Sequence, residues 1–318
     1  MRALGLLALV WAGFAQAQGS ADGAGLLRKI YQATEKLSYS GVFVYRQGER
    51  IETSRITRVN DGRGGVERVE VLDGMPREII RTRDGVRCYL PESQTVKVER
   101  GPDQRAFPGV LPEQVSELGR NYAIARGPHK RIAGYDCESV TLTPRDELRY
   151  GYQLWSDIAS GMLLKAQIFN LKGHTVEEFT FTQLSIGNVP RDRARPRHAA
   201  RNWRVEDPSV TPANLAQQGW IVGGGEIPGF RKVAEVRRRL GESRPVGHVV
   251  YSDGLAAVSV FIEPMGGRNE TVRPGLSTLG AYHIYTRQVA NHVVTVVGEA
   301  PAASVQRVAN TVVFLPPQ

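Results

Sequence analysis

Catalytic signatures are what this 318-residue sequence lacks. It has no H-E-x-x-H, no G-x-S-x-G and no P-loop, which removes the usual zinc-protease, serine-hydrolase and nucleotide-hydrolase readings. The glycine-rich GGGEIPG (Gly223–Gly229) holds Pro228 and lacks a strand–turn–helix setting, so it reads as a loop and not a dinucleotide site. His129, His174, His198, His248, His283 and His292 are scattered without metal-ligand spacing. His283 and His292 flank a hairpin turn and can face one another, where a structural cross-strand pair outweighs a metal pair. No enzymatic activity, cofactor or metal is expected.

Cysteine is scarce too. Cys88 and Cys137 are the only two, and none follows the N-terminal apolar run, so no lipid-anchored N-terminus is expected. That run, ALGLLALVWAGFA (Ala3–Ala15), follows Met1-Arg2 and ends at Ala15-Gln16-Ala17, the small-x-small pattern of a cleavable signal peptide over residues 1–17. Its thirteen residues would span only about 20 Å as a helix, short of a bilayer. No later run is apolar enough to span one, so a soluble periplasmic product is expected. Export permits a Cys88–Cys137 disulfide, and closing a loop of about 50 residues would stabilise by about 4 kcal/mol. Two separate buried thiols are the alternative, because sequence does not give the Cα separation.

Acidic residues fall short of basic ones, 32 against 41, for a net charge of +9. In an exported chain that excess points to anionic lipids or acidic protein segments and away from nucleic acid.

What is present is mostly strand. One amphipathic helix is expected over Asp22–Leu37, with Leu26, Leu27, Ile30, Tyr31, Thr34 and Leu37 on one face and Asp22 near its cap. Alternating runs follow, broken at Gly48-Glu49, Asp73-Gly74 and Asp84-Gly85. A short helix is expected over Leu111–Tyr122, then about four more strands to residue 190. The pattern stops at RDRARPRHAARNWR (Arg191–Arg204), six arginines in fourteen residues, read as a basic linker over residues 191–205. Beyond it, residues 206–318 form a smaller β-rich domain with hairpins at Asp253-Gly254 and Ala290-Asn291. A closing helix there turns Val305 and Val308 to the sheet. The fold class is α+β, mostly antiparallel β.

Four stretches carry a resemblance to the MucB/RseB family: LSYSGVFVY (Leu37–Tyr45), TPRDELRYGYQLWSDIASGMLLKAQIFNLKG (Thr143–Gly173) with its following EEFTFTQL, YSDGLAAVSVFIEP (Tyr251–Pro264) and VTVVGEAP (Val294–Pro301). The family's PPGF lead-in is here Ile227-Pro228-Gly229-Phe230, a mild departure. The resemblance implies a LolA/LolB-like unclosed β-barrel over residues 18–190 and a small domain that binds the periplasmic part of a transmembrane anti-sigma factor. It further implies shielding of that factor from site-1 proteolysis, and release by lipopolysaccharide or lipoprotein acyl chains. A plain lipoprotein carrier is the alternative, and self-association is left open.

Candidate residues follow from the strand pattern. Val42, Val44, Ile56, Leu154, Leu164, Ile168, Phe179 and Phe181 are candidate walls of a lipid pocket, or equally a closed core, since alternation does not say which. Tyr251, Asp253, Phe261, Ile262 and Glu263 are partner-binding candidates or core packing, and Arg237, Arg238 and Arg239 either steer an acidic partner or form a solvated strand face. Asp253 and Gly254 also suit a tight turn. Arg191, Arg193, Arg195, Arg197, Arg201 and Arg204 are candidate contacts for the phosphates of lipopolysaccharide, or only a solvated linker.

Overall fold

Period-two alternation carries most of the chain into antiparallel strands, and the turn residues fix where each reverses. The computed structural model describes residues 12–60, 62, 65–100, 115–198, 200–207, 210–223, 227–239, 245–266 and 272–316. Residues 1–11 of the expected signal peptide and 111–114 of the expected short helix lie outside them.

In chain order the large domain holds α1 (Ala12–Lys36), β1 (Tyr39–Gln47), β2 (Arg50–Val59), β3 (Val66–Val71), β4 (Glu78–Thr82), β5 (Gly85–Leu90), β6 (Thr95–Arg100), α2 (Val115–Asn121), β7 (Tyr122–Ile132), β8 (Tyr135–Pro144), β9 (Gly151–Asp157), β10 (Leu163–Phe169) and β11 (Thr175–Ile186). After the basic stretch come β12 (Arg204–Glu206), β13 (Val210–Pro212), β14 (Trp220–Ile221), β15 (Arg231–Arg239), β16 (Pro245–Ser252), β17 (Ala257–Pro264), β18 (Gly275–Leu279), β19 (Tyr282–Val289), β20 (His292–Gly298), α3 (Ala302–Thr311) and β21 (Val313–Phe314).

Twelve strands form one unclosed sheet, in the order β12-β6-β5-β4-β3-β2-β1-β11-β10-β9-β8-β7. Every pairing in it is antiparallel except β12 on β6. The helix α1 lies across β7, β8 and β10, and it begins at Ala12, so Asp22 sits inside it and not at its cap. Leu27 and Ile30 of α1 and Leu118 of α2 are fully buried there, each stabilising by about 1.5–3 kcal/mol.

The second sheet runs β13-β15-β16-β17-β20-β19-β18. Its helix α3 buries Val305 and Val308 against β19 and β20, as the periodicity predicts. The hairpin at Asp253-Gly254 closes through the four-residue loop Asp253–Ala256, since Ser252 pairs with Ala257; it is not a two-residue turn.

Two expectations are corrected. Cys88 and Cys137 are unbridged. They lie on β5 and β8 with seven strands between them in the sheet, and adjacent strands are already about 4.8 Å apart. The other correction concerns His283 and His292: His283 pairs with Gly298, while His292 pairs with Val289, so the two do not oppose each other.

Candidate functional site

Register decides which candidates share a face. On β1 and β11, Phe43 pairs with Phe181 and Tyr45 with Phe179, so the odd residues of β1 face inward. Val42 and Val44 therefore stand on the opposite face and are not walls of the concave side, a one-residue offset that alternation alone does not resolve. Ile56, Leu154, Leu164, Ile168, Phe179 and Phe181 do share the concave face, and all six are buried. They pack into one cluster with Leu26, Leu27 and Ile30 of α1. Phe179 centres it, 4.8 Å from the Phe43 ring and 5.0 Å from Phe181.

Past α1 the same face continues onto β3–β5 through Val69, Ile79 and Cys88, which follow Ile56 in register. Those three are only half-buried. At the nearby strand ends a cleft of about 630 Å³ is lined by Ile51, Val71, Met75 and Leu90 with Arg50 and Arg77 at its edge. Met75 is 72% exposed and Ile51 61%, so the cleft has an apolar rim open to solvent. Among the described residues the concave face is thus closed under the helix and open beyond it.

The basic stretch is not a free linker. It lies on the outer face of β3–β6, where Arg68, Glu78, Tyr89 and Val96 align. Arg68 Nη1 donates to the Arg193 carbonyl at 2.7 Å and its Nε pairs with Glu78 at 3.2 Å. The Arg197 amide donates to Glu78 at 3.0 Å and its guanidinium pairs with Glu70 at 2.6 Å. Trp203 and Ala200 pack on Ile80, Tyr89 and Val96. Arg204 then opens β12 and pairs with Glu206 at 3.5 Å. The side chains of Arg191, Arg193, Arg195, Arg197, Arg201 and Arg204 all reach the surface, on one flank of the large domain.

Of the partner-binding candidates, three are internal. Ile262 is in the small-domain core, and buried Tyr251 donates its hydroxyl to the Val222 carbonyl at 2.7 Å. The Asp253 side chain is fully buried at the boundary between the domains. Its Oδ1 accepts from the Leu255 and Ala256 amides and shapes the turn; its Oδ2 accepts from Arg149 at 2.7 Å and from the Tyr122 hydroxyl at 3.1 Å. Arg238 reaches the other way and pairs with Glu99 of β6 at 3.0 Å. Phe261, Glu263, Arg237 and Arg239 remain accessible. Phe261 stacks on His248 with ring centroids 4.3 Å apart, and burial followed by the charge of Arg238 holds His248 down to about 4, a neutral imidazole.

The residue this picture turns on, Arg149, was not among the candidates. Its side chain is fully buried, paired with Asp253 and with Asp146 at 3.0 Å, donating to the Pro228 carbonyl and lying over the Tyr122 and Phe230 rings at 5.6 and 5.5 Å. Burial works against its charge, yet the Asp146 hydrogen bond and the Asp253 charge raise its pKa. It sits in the DELRYGYQLW run that carries part of the resemblance; nothing local marks it, because Asp253 is 104 positions away. Pro228-Gly229 explains the lead-in to the small domain: Gly229 has φ +80°, and a Cβ there would fall 2.2 Å from Asn121 of α2. Interlocking is mutual, with Leu255 and Ala281 buried in the large core and Leu148 in the small one.

Among the described residues no group of His, Cys, Asp or Glu is placed to hold a metal, and no helix is long and apolar enough to cross a membrane. The fold and these surfaces define a two-domain binding protein, an unclosed sheet with a partly open apolar face locked to a smaller sheet. Comparison with known proteins supplies the family. A family model described as the MucB/RseB N-terminal domain matches residues 22–203, and one described as the MucB/RseB C-terminal domain matches 214–313. The chain belongs to the MucB/RseB family. It is 31% identical to the sigma factor AlgU regulatory protein MucB of Pseudomonas aeruginosa, over 97% of this chain and 96% of that one. It is 24% identical to the sigma-E factor regulatory protein RseB of Haemophilus influenzae, over 91% and 90%. A crystal structure of MucB in complex with MucA(peri) superposes with a TM-score of 0.72 at 30% identity, covering 93% of this chain and all of that one. The family's members are regulatory proteins and not enzymes.

Proposed function

We propose that this chain is a periplasmic negative regulator of an envelope-stress sigma factor. In this reading it binds the periplasmic part of a transmembrane anti-sigma factor and keeps it from site-1 proteolysis until a lipid-bearing ligand releases it. The observation that carries the reading is the likeness across both domains to a protein crystallised with MucA(peri). The accessible small-domain residues Phe261, Glu263, Arg237 and Arg239 are the proposed partner contacts, Phe261 being the aromatic anchor.

The ligand enters, in this reading, at the open part of the concave face. Val69, Ile79 and Cys88 floor it, and each methylene buried there contributes about 0.8 kcal/mol. Exposed arginines of the 191–204 flank, on the opposite face of the same strands, would take lipopolysaccharide phosphates as a separate contact. Release requires the lipid to bind the free regulator more tightly than the complex; equal affinity for both would release nothing.

Two measurements test this. Purified chain, the periplasmic segment of the cognate anti-sigma factor and the site-1 protease are combined with and without lipid A. Protection in its absence and cleavage in its presence are expected; cleavage at one rate with or without the chain defeats the regulator reading and leaves a carrier. Cys88 supplies the second, because it is half-buried on the concave face while Cys137 is 1% exposed. Lipid A is expected to slow thiol labelling of Cys88. An unchanged rate removes the concave face as the lipid site.

A further inference from the structure

A second polar contact crosses the domain boundary, away from Arg149. Glu177 of β11 is fully buried. Its Oε1 accepts from Gln47 Nε2 at 2.8 Å and from the backbone amide of Ala281, in the β18–β19 turn of the small domain, at 3.1 Å. Its Oε2 accepts from the Tyr45 hydroxyl. Three donors therefore hold this one carboxylate, one of them from the small domain. The turn can approach so closely because residue 280 is glycine: φ there is +59°, and a Cβ would lie 2.2 Å from Gln47 and 3.0 Å from Glu177 Oε1.

Near this carboxylate is another acid. Glu299, after β20, is 8% exposed, and its Oε1 has no hydrogen-bond partner among the described residues. The Tyr282 hydroxyl of β19 lies 3.4 Å from its Oε2. Tyr150, just before β9, and Tyr152 of β9 feel both carboxylates. His283 of β19 is turned to the Ala300 carbonyl at 2.9 Å and to the Tyr150 hydroxyl at 3.4 Å. The first turn of α3 offers no charged side chain, and among the described residues no cation is a cause of the Glu299 shift. Burial first, then the charge of Glu177, pushes Glu299 up to about 8. A neutral Glu299 keeps its proton in a buried seam beside the Glu177 carboxylate.

We propose that Glu177 and Glu299 form a proton-dependent latch between the two domains, closed while the pair carries a single negative charge and loosened when it carries two. Opening the seam returns Glu299 to water, where it ionises near 4.5, its ordinary value. Between that value and about 8 the closed form therefore holds one more proton than the open form. Closure is fully favoured below this window and weakens by about tenfold per pH unit through it. Above it no further loss follows from this pair. The latch is independent of what the chain binds.

The amide of Ala281 reports closure directly, because it donates across the seam. Its hydrogen-exchange protection factor, measured on the full chain from pH 6 to 9, is expected to fall with rising pH and level off above about pH 8. In Glu299→Gln it is expected to stay flat and high. Identical profiles in the two proteins, or a flat profile in the unsubstituted chain, overturn the latch. If Glu299→Gln does not fold by circular dichroism, Glu177→Gln serves instead: with the like charge gone, the fall must level off at lower pH. A profile that does not move is equally fatal.

Discussion

At one point of the domain boundary Arg149 lies between Asp146, Asp253 and two aromatic rings; at another Glu177 and Glu299 come together, with no cation among the causes of the Glu299 shift in the described residues. Both contacts are buried, and both join segments more than a hundred residues apart. In the first, opposite charges and a full set of hydrogen bonds offset the desolvation of the ions. In the second, the same desolvation is met by holding a proton. The pH dependence proposed for the boundary therefore belongs to the second junction. A boundary built from both can be firm in one place and adjustable in another.

The largest effect should come from the charged junction. Arg149→Ala leaves Asp253 buried without its cation and is expected to cost about 3–5 kcal/mol, read as a lower urea midpoint. The comparison sharpens if this variant keeps the fall in stability between pH 6 and 8, since that slope belongs to Glu299, whose folded pKa lies above its ordinary value. Loss of the slope in Arg149→Ala would mean that the two junctions act as one. Gly280→Ala strikes the other junction alone: a positive φ and a close approach to Gln47 make about 2 kcal/mol the expected cost, with loss of Ala281 amide protection. Tyr122→Phe removes one of the donors on Asp253 and should cost about 1.5 kcal/mol in the same urea titration. Arg197→Ala, outside both junctions, breaks an exposed pair with Glu70 and should cost under about 1 kcal/mol, the difference vanishing in high salt. A large effect there would show that docking of the basic stretch matters as much as the seam.

Helix and strand were legible wherever burial has a period. Val305 and Val308 on α3, and Leu27 and Ile30 on α1, are buried as their spacing predicts. Six of the eight wall candidates share the concave face because alternation preserves parity along a strand. Val42 and Val44 fail because the choice between odd and even residues on β1 is made by its partner β11. Asp253 shows the same limit differently: its turn role is local and readable, its bond to Arg149 is neither. The docking of Arg191–Arg204 was hidden by its own composition, since dense charge reads as solvated until Arg68, Glu70 and Glu78 are placed beneath it.

By itself, then, the sequence determined the export signal pattern, the antiparallel class, the two β-rich units and the family, because each rests on local periodicity, turn chemistry or the order of short stretches. Tertiary structure alone decided which face of β1 is inside, where the basic stretch lies, that the cysteines stay apart, and how the two domains grip each other. Those outcomes depend on low-dielectric contacts between residues distant in the chain, where one buried charge is stable only if its partner arrives with it.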